Sequence, residues 1–270
     1  MTPNQIDRLK RLVTSKGWES FDYLAHPDLR TIDAITKMLQ ELPSNEIDLS
    51  LDLLDDYLII KNYAQQARGL MLSLRECEGK KPILVTPLVD FQSERTKSGH
   101  VLHYEMSNFT RFFDRNEILF RDDPKSTDSQ NHVGTHICVD DYIGTGSQFL
   151  TMIESIENDG KKNTITHIGT ICIQESAKNT LENLGYKIIS SFVLGKGLDR
   201  LSRRRDSSKD QILAEYEVLE RRTRCPAEYS LGREKSEALV TMKATPNNTL
   251  PIFWIEGKHE WPAPFPRPRR

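Results

Sequence analysis

The residues best equipped for chemistry lie in one run, His136-Ile137-Cys138-Val139-Asp140-Asp141-Tyr142-Ile143-Gly144-Thr145-Gly146-Ser147. It reads as an apolar strand that ends in two adjacent carboxylates. A Gly-Thr-Gly turn follows, then an amphipathic helical segment from Phe149 to Ile156. That order builds a phosphate cradle. Glycines let backbone N–H groups approach an anion, and the helix N-terminus adds the positive end of its dipole. Two carboxylates ahead of the loop suit the vicinal hydroxyls of a ribose, or a Mg²⁺ bridging ribose and phosphate. The unit therefore fits a sugar 5-phosphate better than a nucleoside triphosphate.

Two other phosphate motifs fail on residue types. A P-loop needs Lys and then Ser or Thr after its last glycine, but Gly146 is followed by Ser147 and Gln148. A dinucleotide fingerprint needs a third glycine where Phe149 stands. An ordinary strand-to-helix turn with Asp as a cap does not call for two acids and two glycines together.

Val139 to Ser147 resembles the PRPP-binding motif of type I phosphoribosyltransferases: an apolar strand, two acids, two apolar residues, a small residue, then Thr-Gly. The C-terminal runs Pro246-Asn247-Asn248-Thr249-Leu250-Pro251-Ile252-Phe253-Trp254 and Trp261-Pro262-Ala263-Pro264-Phe265-Pro266-Arg267 are similar to divergent phosphoribosyltransferase-like proteins of prokaryotic conflict (anti-phage) systems, including some retron operons. The resemblance spans residues 82–267. It implies that Asp140 and Asp141 serve the ribose hydroxyls and Mg²⁺ as catalytic and metal-binding residues. It implies that Ile143, Gly144, Thr145, Gly146, Ser147 and Gln148 form the 5-phosphate loop. Type I members place a pyrophosphate loop after the first core strand, which points to Ser98 and Gly99, with Arg95 or Lys97. They also carry a mobile loop between the second and third core strands. Residues 121–130 occupy that place, and Lys125 is its basic residue, expected to meet the leaving pyrophosphate.

Two departures from the family pattern stand out. Purine-transferring relatives carry an Asp, acting as proton acceptor near the base, where this chain has Gly144. The usual Thr or Ser closing the motif is Gln148, although Ser147 is adjacent. The pattern thus keeps 5-phosphate binding and puts purine salvage in doubt. Phe192 to Asp199 bears a faint likeness to a purine-site hood.

The elements that must position these residues follow from periodicity. Residues 1–77 read as helical, with Ile6, Leu9, Leu12 and Val13, then Ile32, Ile35, Met38 and Leu39, at helical spacing. Gly79-Lys80-Lys81-Pro82 breaks that pattern. Strands are then expected at 82–89, 117–120, 135–141, 165–173, 186–194 and 238–242, with helices after Ser98 and over 176–184 and 210–221. Alternating strands and helices imply an α/β fold with a mostly parallel sheet flanked by helices. The expected division is a helical extension over 1–78 packed on the core, and a phosphoribosyltransferase-like domain with a C-terminal clamp over 79–270.

Composition narrows the setting. A net charge of −2 over 270 residues supplies no global field toward nucleic acid or membranes. No apolar run approaches the ~20 residues that span a bilayer, and the N-terminal residues lack a signal pattern. Cys77, Cys138, Cys172 and Cys225 are too far apart for a Cys-x-x-Cys pair, which suggests reduced thiols and a cytoplasmic setting. His100 and His103 lack a carboxylate that would complete a metal set. Arg200, Arg203, Arg204 and Arg205, with Arg221, Arg222 and Arg224, form basic clusters that read as a solvated face or as a contact for nucleic acid. The functional expectation is a pentosyl transferase or related glycosyl hydrolase acting on PRPP or a related ribosyl phosphate with Mg²⁺. It would serve as effector or accessory enzyme of a defence operon, with a protein partner or nucleoprotein complex. The alternatives are a non-catalytic nucleotide sensor and a structural subunit of a nucleoprotein complex.

Overall fold

The structure is a computed structural model that describes residues 1–18, 30–76, 82–91, 98–112, 117–131, 134–256 and 261–267. In chain order its elements are α1 (Pro3–Ser15), α2 (Thr31–Gln40), α3 (Ser44–Asp56), β1 (Leu58–Ile59), α4 (Tyr63–Glu76), β2 (Ile83–Pro87), α5 (Ser98–Ser107), β3 (Ile118–Phe120), α6 (Thr127–Gln130), β4 (Thr135–Ile143), α7 (Ser147–Asn158), β5 (His167–Gln174), α8 (Glu175–Asn183), β6 (Lys187–Leu194), α9 (Gly197–Arg205), α10 (Lys209–Arg221) and β7 (Val240–Thr241). They form two compact units, one of residues 62–194 and one that joins residues 1–61 to residues 195–270. Among the described residues no helix is long and apolar enough to cross a membrane.

The unit of residues 62–194 is the α/β body. Five parallel strands lie in the order β3-β2-β4-β5-β6. β4 and β5 form its centre, and every residue of β5 is buried. Their sequences, Thr-His-Ile-Cys-Val and His-Ile-Gly-Thr-Ile-Cys-Ile, are the near-continuous apolar runs that a sheet covered on both faces requires. On α7, Phe149, Met152, Ile153 and Ile156 are buried. Their i, i+3, i+4, i+7 spacing makes one stripe, which packs with Leu88, Cys138, Ile168 and Ile173. α4 packs along β5 and β6 and against α5. A helix that the sequence assigned to the extension thus belongs to the sheet.

In the other unit the helices α1, α2, α3, α9 and α10 share a core with the C-terminal segment, including Ile35, Met38, Leu54, Leu201, Tyr216, Phe253 and Phe265. Capping boxes start two of them: Thr2 with Gln5 opens α1, and Ser208 with Gln211 opens α10. The short strand expected near 238–242 is real but lies outside the main sheet. β7 pairs with β1 in a separate two-stranded parallel ribbon. The C-terminal aromatics clamp this unit. The Trp254 indole donates to Thr249 O at 2.7 Å, Trp261 donates to Ile252 O at 2.9 Å, and Phe265 N donates to Phe253 O at 2.8 Å. The compact units therefore divide the chain at 61/62 and 194/195, not at the expected 78/79.

Gly99 shows how tightly α5 is drawn onto the sheet. A Cβ there would lie 2.6 Å from Leu88 O and 3.0 Å from Val139 O, both backbone atoms that cannot move aside cheaply. Gly99→Ala is therefore expected to cost about 1–3 kcal/mol, read as a lower denaturant midpoint with an unchanged slope. A variant as stable as the parent would mean that α5 does not hold this position.

Candidate functional site

The strand order creates the site. The chain runs from β2 outward to β3, then crosses back to β4 on the other side of β2. The crevice beyond the carboxyl ends of β2 and β4 is therefore the switch point, where open parallel sheets bind ligands. The β2–β4 ladder ends at Pro87 and Val139, while β4 continues beside β5 to Ile143 and Ile173. Asp140 to Ile143 thus flank the point where β2 turns away, and the Gly-Thr-Gly loop follows at once.

Asp140 is 4% exposed. Its Oδ1 accepts from Ser98 Oγ at 2.6 Å and from the Asp141 backbone N–H at 2.9 Å. Asp141 is half-buried, and its Oδ2 accepts from the Tyr63 hydroxyl at 3.4 Å. Burial, with the Asp141 charge adding to it, pushes the Asp140 carboxyl well above the ordinary carboxylate range. Burial likewise pushes Asp141 up to about 6, against hydrogen bonds from the Ser98 and Tyr63 hydroxyls that favour its ionised form. Tyr63 in turn is held neutral by burial and by the Asp141 charge. Among the described residues no cation acts on either carboxyl, and a cation would lower both.

The loop is shaped for close approach. Gly146 sits in the left-handed region at φ 82°, and a Cβ there would come within 3.3 Å of the Leu181 side chain. Gly146 is the N-cap of α7, so no side-chain oxygen from that position reaches the first-turn N–H groups. The Thr145 and Ser147 hydroxyls lie 2.9 Å apart. Ile143 and Gly146 are buried, Gly144 and Thr145 are half-buried, and Ser147 and Gln148 are exposed at the rim. Ser98, at the first position of α5, is joined to this constellation through Asp140. Gly99 beside it already has a packing reason to be glycine.

Tyr63 is the residue that the sequence did not offer. It is 5% exposed and reaches Asp141 from α4, 78 positions earlier in the chain. A tyrosine on an amphipathic helix carries no local signal of where its hydroxyl will go.

Lys125 is not brought to the acids. Its Nζ donates to Asp159 Oδ2 at 2.6 Å and to Ser155 Oγ at 3.0 Å, and sits 3.5 Å from the centre of the Phe91 ring. Asp159 caps the C-terminal end of α7, a helix of 12 residues that begins at the Gly144-Thr145-Gly146 loop. At 1.5 Å per residue that end is about 18 Å from the loop. Its own segment is tied down as well: Lys161 Nζ donates to Lys125 O at 2.6 Å, and Lys162 N donates to Gln130 Oε1 at 3.0 Å. A buried ammonium paired with a carboxylate has its charge already matched, and the structure places Lys125 apart from the acid pair that the sequence expected it to serve. Arg95 and Lys97 lie outside the described residues.

Other candidates settle into structural roles. The buried His103 ring contacts Val85 O through Nε2 at 3.2 Å and lies against Phe120. Cys138 and Cys172 are buried free thiols. The arginine clusters are largely consumed within their own unit. Arg200 meets Asp56 at 3.1 Å, Arg204 meets Asp56 at 3.2 Å, Arg205 meets Glu215 at 2.9 Å and also Asp52, and Arg222 grips Glu46 with two nitrogens. Among the described residues no group of three or more His, Cys, Asp or Glu could hold a metal alone. Two carboxylates without a third protein ligand fit only a cation that the ligand's own oxygens also hold, which is the usual habit of Mg²⁺ with phosphorylated substrates.

A parallel sheet with an acid pair and a glycine loop at its switch point describes a phosphoribosyltransferase-like protein. Residues 33–267 match the PRTase-CE family, and the chain belongs to it. No curated protein matches the chain in sequence. Among solved structures it is similar to orotate phosphoribosyltransferase of Francisella tularensis, with 10% identity and a TM-score of 0.37 over 59% of this chain and 76% of that one. The orotate phosphoribosyltransferase of Mycobacterium tuberculosis in complex with PRPP gives 13% identity and a TM-score of 0.32 over 59% and 87%. That of Aeropyrum pernix gives 13% and 0.32 over 73% and 98%.

The raised carboxyls have a measurable consequence. An unfolded Asp titrates near 3.9, and folded Asp141 near 6. Between those values the folded state binds more protons, so this group's contribution falls as pH rises from about 4 to about 6. Discounted for partial exposure, the change is on the order of 1–2 kcal/mol. The stability of the parent minus that of Asp141→Asn should decline by that amount across the window in urea titrations. A flat difference would mean that the carboxyl is not held this way.

Proposed function

We propose that the site binds PRPP or a related ribosyl phosphate together with Mg²⁺, and that the protein transfers or hydrolyses at the anomeric carbon. The observation that carries this reading is the buried, charge-starved pair Asp140–Asp141 at the switch point, directly ahead of the glycine loop. Asp140 and Asp141 would accept from the ribose hydroxyls and hold the cation, with Ser98 and Tyr63 fixing the two carboxyls. Backbone N–H groups from Gly144 to Gln148, with the Thr145 and Ser147 hydroxyls, would hold the 5-phosphate against the start of α7. A Mg²⁺ held by Asp140 and Asp141 would supply charge neutralisation for a departing pyrophosphate. What the chain contributes to an oxocarbenium-like transition state is position and preorganised dipoles. We place the protein in the cytoplasm as an effector or accessory enzyme of an anti-phage, retron-type system, the setting suggested by its C-terminal runs.

A second reading has its own support. Gly144 offers no carboxylate to take a proton from a base, and Lys125 is spent on Asp159. A site that keeps its phosphate loop and lacks both groups suits a sensor that binds the ribosyl phosphate and reports it to a partner. A structural role in a nucleoprotein complex finds less support, because most of the arginines it would use are paired.

Titration calorimetry on the full chain with PRPP, with and without Mg²⁺, together with a pyrophosphate-release assay, tests both readings. Magnesium-dependent binding is expected. It should weaken roughly a hundredfold, about 2.7 kcal/mol, when Asp140→Asn and Asp141→Asn are combined in a variant that still folds. Binding with release supports the enzyme, and binding without release supports the sensor. Absence of binding, or full binding by the double variant, would overturn the site assignment.

A further inference from the structure

We propose that β6 is an interface strand and that its occupant is β6 of a second copy of this chain, paired antiparallel about a two-fold axis at Ser191.

The two edges of the sheet are unlike. β3 is only three residues long, and a short edge offers little template for another strand. β6 is eight residues long, as long as β5, and among the described residues it pairs on one side only. Native proteins blunt such an edge with charges, prolines, bulges or a covering element. From Ile188 to Leu194 the sequence Ile-Ile-Ser-Ser-Phe-Val-Leu has no charge and no proline. Its partners on β5 run at one constant offset from Lys187–His167 to Leu194–Gln174, so no residue is inserted as a bulge. One apolar side chain of the strand is open to solvent, while Ile188, Ile189 and Phe192 are half-buried and Leu194 is buried. Val193 is 48% exposed, and Leu184, just before the strand, is 56% exposed.

The backbone fixes what the edge can accept. Lys187 N donates to Thr166 O on β5 at 3.1 Å. Alternation along the strand then turns the N–H and C=O groups of Ile188, Ser190, Phe192 and Leu194 away from β5. An antiparallel copy related by a two-fold axis normal to the sheet must pair residues of like parity. Leu194 is buried in its own chain and takes no part. Centring the axis on Ser191 pairs Ser190 with Phe192, twice about the axis, through those outward groups. It also sets Ile189 opposite Val193 in a non-hydrogen-bonded pair, where side chains come closest.

Charge decides between a parallel and an antiparallel occupant. Lys187 is the only charge on the strand. A parallel copy would stack the two Lys187 side chains. The antiparallel copy sends them to opposite ends, opposite uncharged Gly195. The pairing is isologous, so it closes at a dimer and does not propagate. It also points the carboxyl edges of the two sheets in opposite directions, which leaves each candidate site complete within its own chain.

The test uses the full chain in sedimentation equilibrium. The parent should sediment at twice the chain mass. Ser191 is exposed, so Ser191→Lys is expected to leave the fold of the chain unchanged, read as an unaltered far-UV circular dichroism spectrum. It would set two ammonium groups face to face across the axis and give a monomer. Ser191→Cys gives an independent reading. Cα atoms of a non-hydrogen-bonded pair lie about 4.5 Å apart, within the range a disulfide spans. Mild oxidation should therefore cross-link the variant as a dimer, while the parent, with its own four cysteines, should not cross-link. A monomeric parent overturns the proposal. So does a dimer that Ser191→Lys leaves intact, or one in which Ser191→Cys fails to cross-link.

Discussion

Two carboxylates at consecutive positions, one of them nearly sealed from water, are the constraint around which the α/β unit is arranged. Asp140 is 4% exposed at the end of an apolar strand. A buried charge is costly unless hydrogen-bonded, and two like charges are costlier still. The fold answers with what surrounds the pair. α5 is pulled close enough for Ser98 to reach Asp140, and that approach is why position 99 admits only glycine without strain. α4 lies so that Tyr63 reaches Asp141. β4 outruns β2, so on that side Asp140 and Asp141 lie beyond the end of the ladder, while Asp140 stays beside Thr170 of β5 on the other. These contacts lessen the cost without removing it, since both carboxyls stay above their ordinary range. A position kept costly in this way is better explained by a ligand that supplies the missing positive charge than by packing.

Much of the α/β unit was legible because its signals are local. The strand–acid–glycine–helix order of residues 135–158 can be read by eye, and the structure builds that order as β4, loop and α7. The strands β2, β3, β5 and β6 also fall where apolar runs predict them, to within a few residues. What could not be read is what depends on long-range partners. Nothing in Val240-Thr241 says that it pairs with Leu58-Ile59 and stays out of the main sheet. Nothing in the sequence of α4 assigns it to the sheet rather than to the helices before it. Lys125 is the instructive case, because a basic residue in a polar loop looks available until its partner is seen. Asp159, thirty-four positions later, takes that charge.

The arginine clusters make the same point in the other unit. A run such as Arg203-Arg204-Arg205 looks like a basic face when only one strand of the argument is visible. In the folded unit α9 meets α3, whose Asp52, Asp55 and Asp56 are spaced to receive it, and Arg8 from α1 joins the same acids. A shared network of this kind fixes the register of helices, and its individual exposed pairs add little stability. For Arg200, Arg204 and Arg205 it also lessens the counter-ion release that would drive binding to a polyanion, since a paired guanidinium has less left to give a phosphate.

The same accounting bears on the chemistry of the site. The hydrogen bonds to the acid pair come from the hydroxyls of Ser98 and Tyr63 and from the Asp141 backbone amide, and Lys125 is engaged with Asp159 at the far end of α7. On the proposed reading, such a set would meet a ribosyl phosphate through hydroxyl contacts and loop amides. The two aspartates would hold a cation together with the ligand, and that cation would lower the carboxyls and offset the charge of a leaving diphosphate. Binding and turnover are then separable in that reading. The acid pair and the loop would serve the first. The second further requires an acceptor whose own proton needs no help from position 144, where glycine stands.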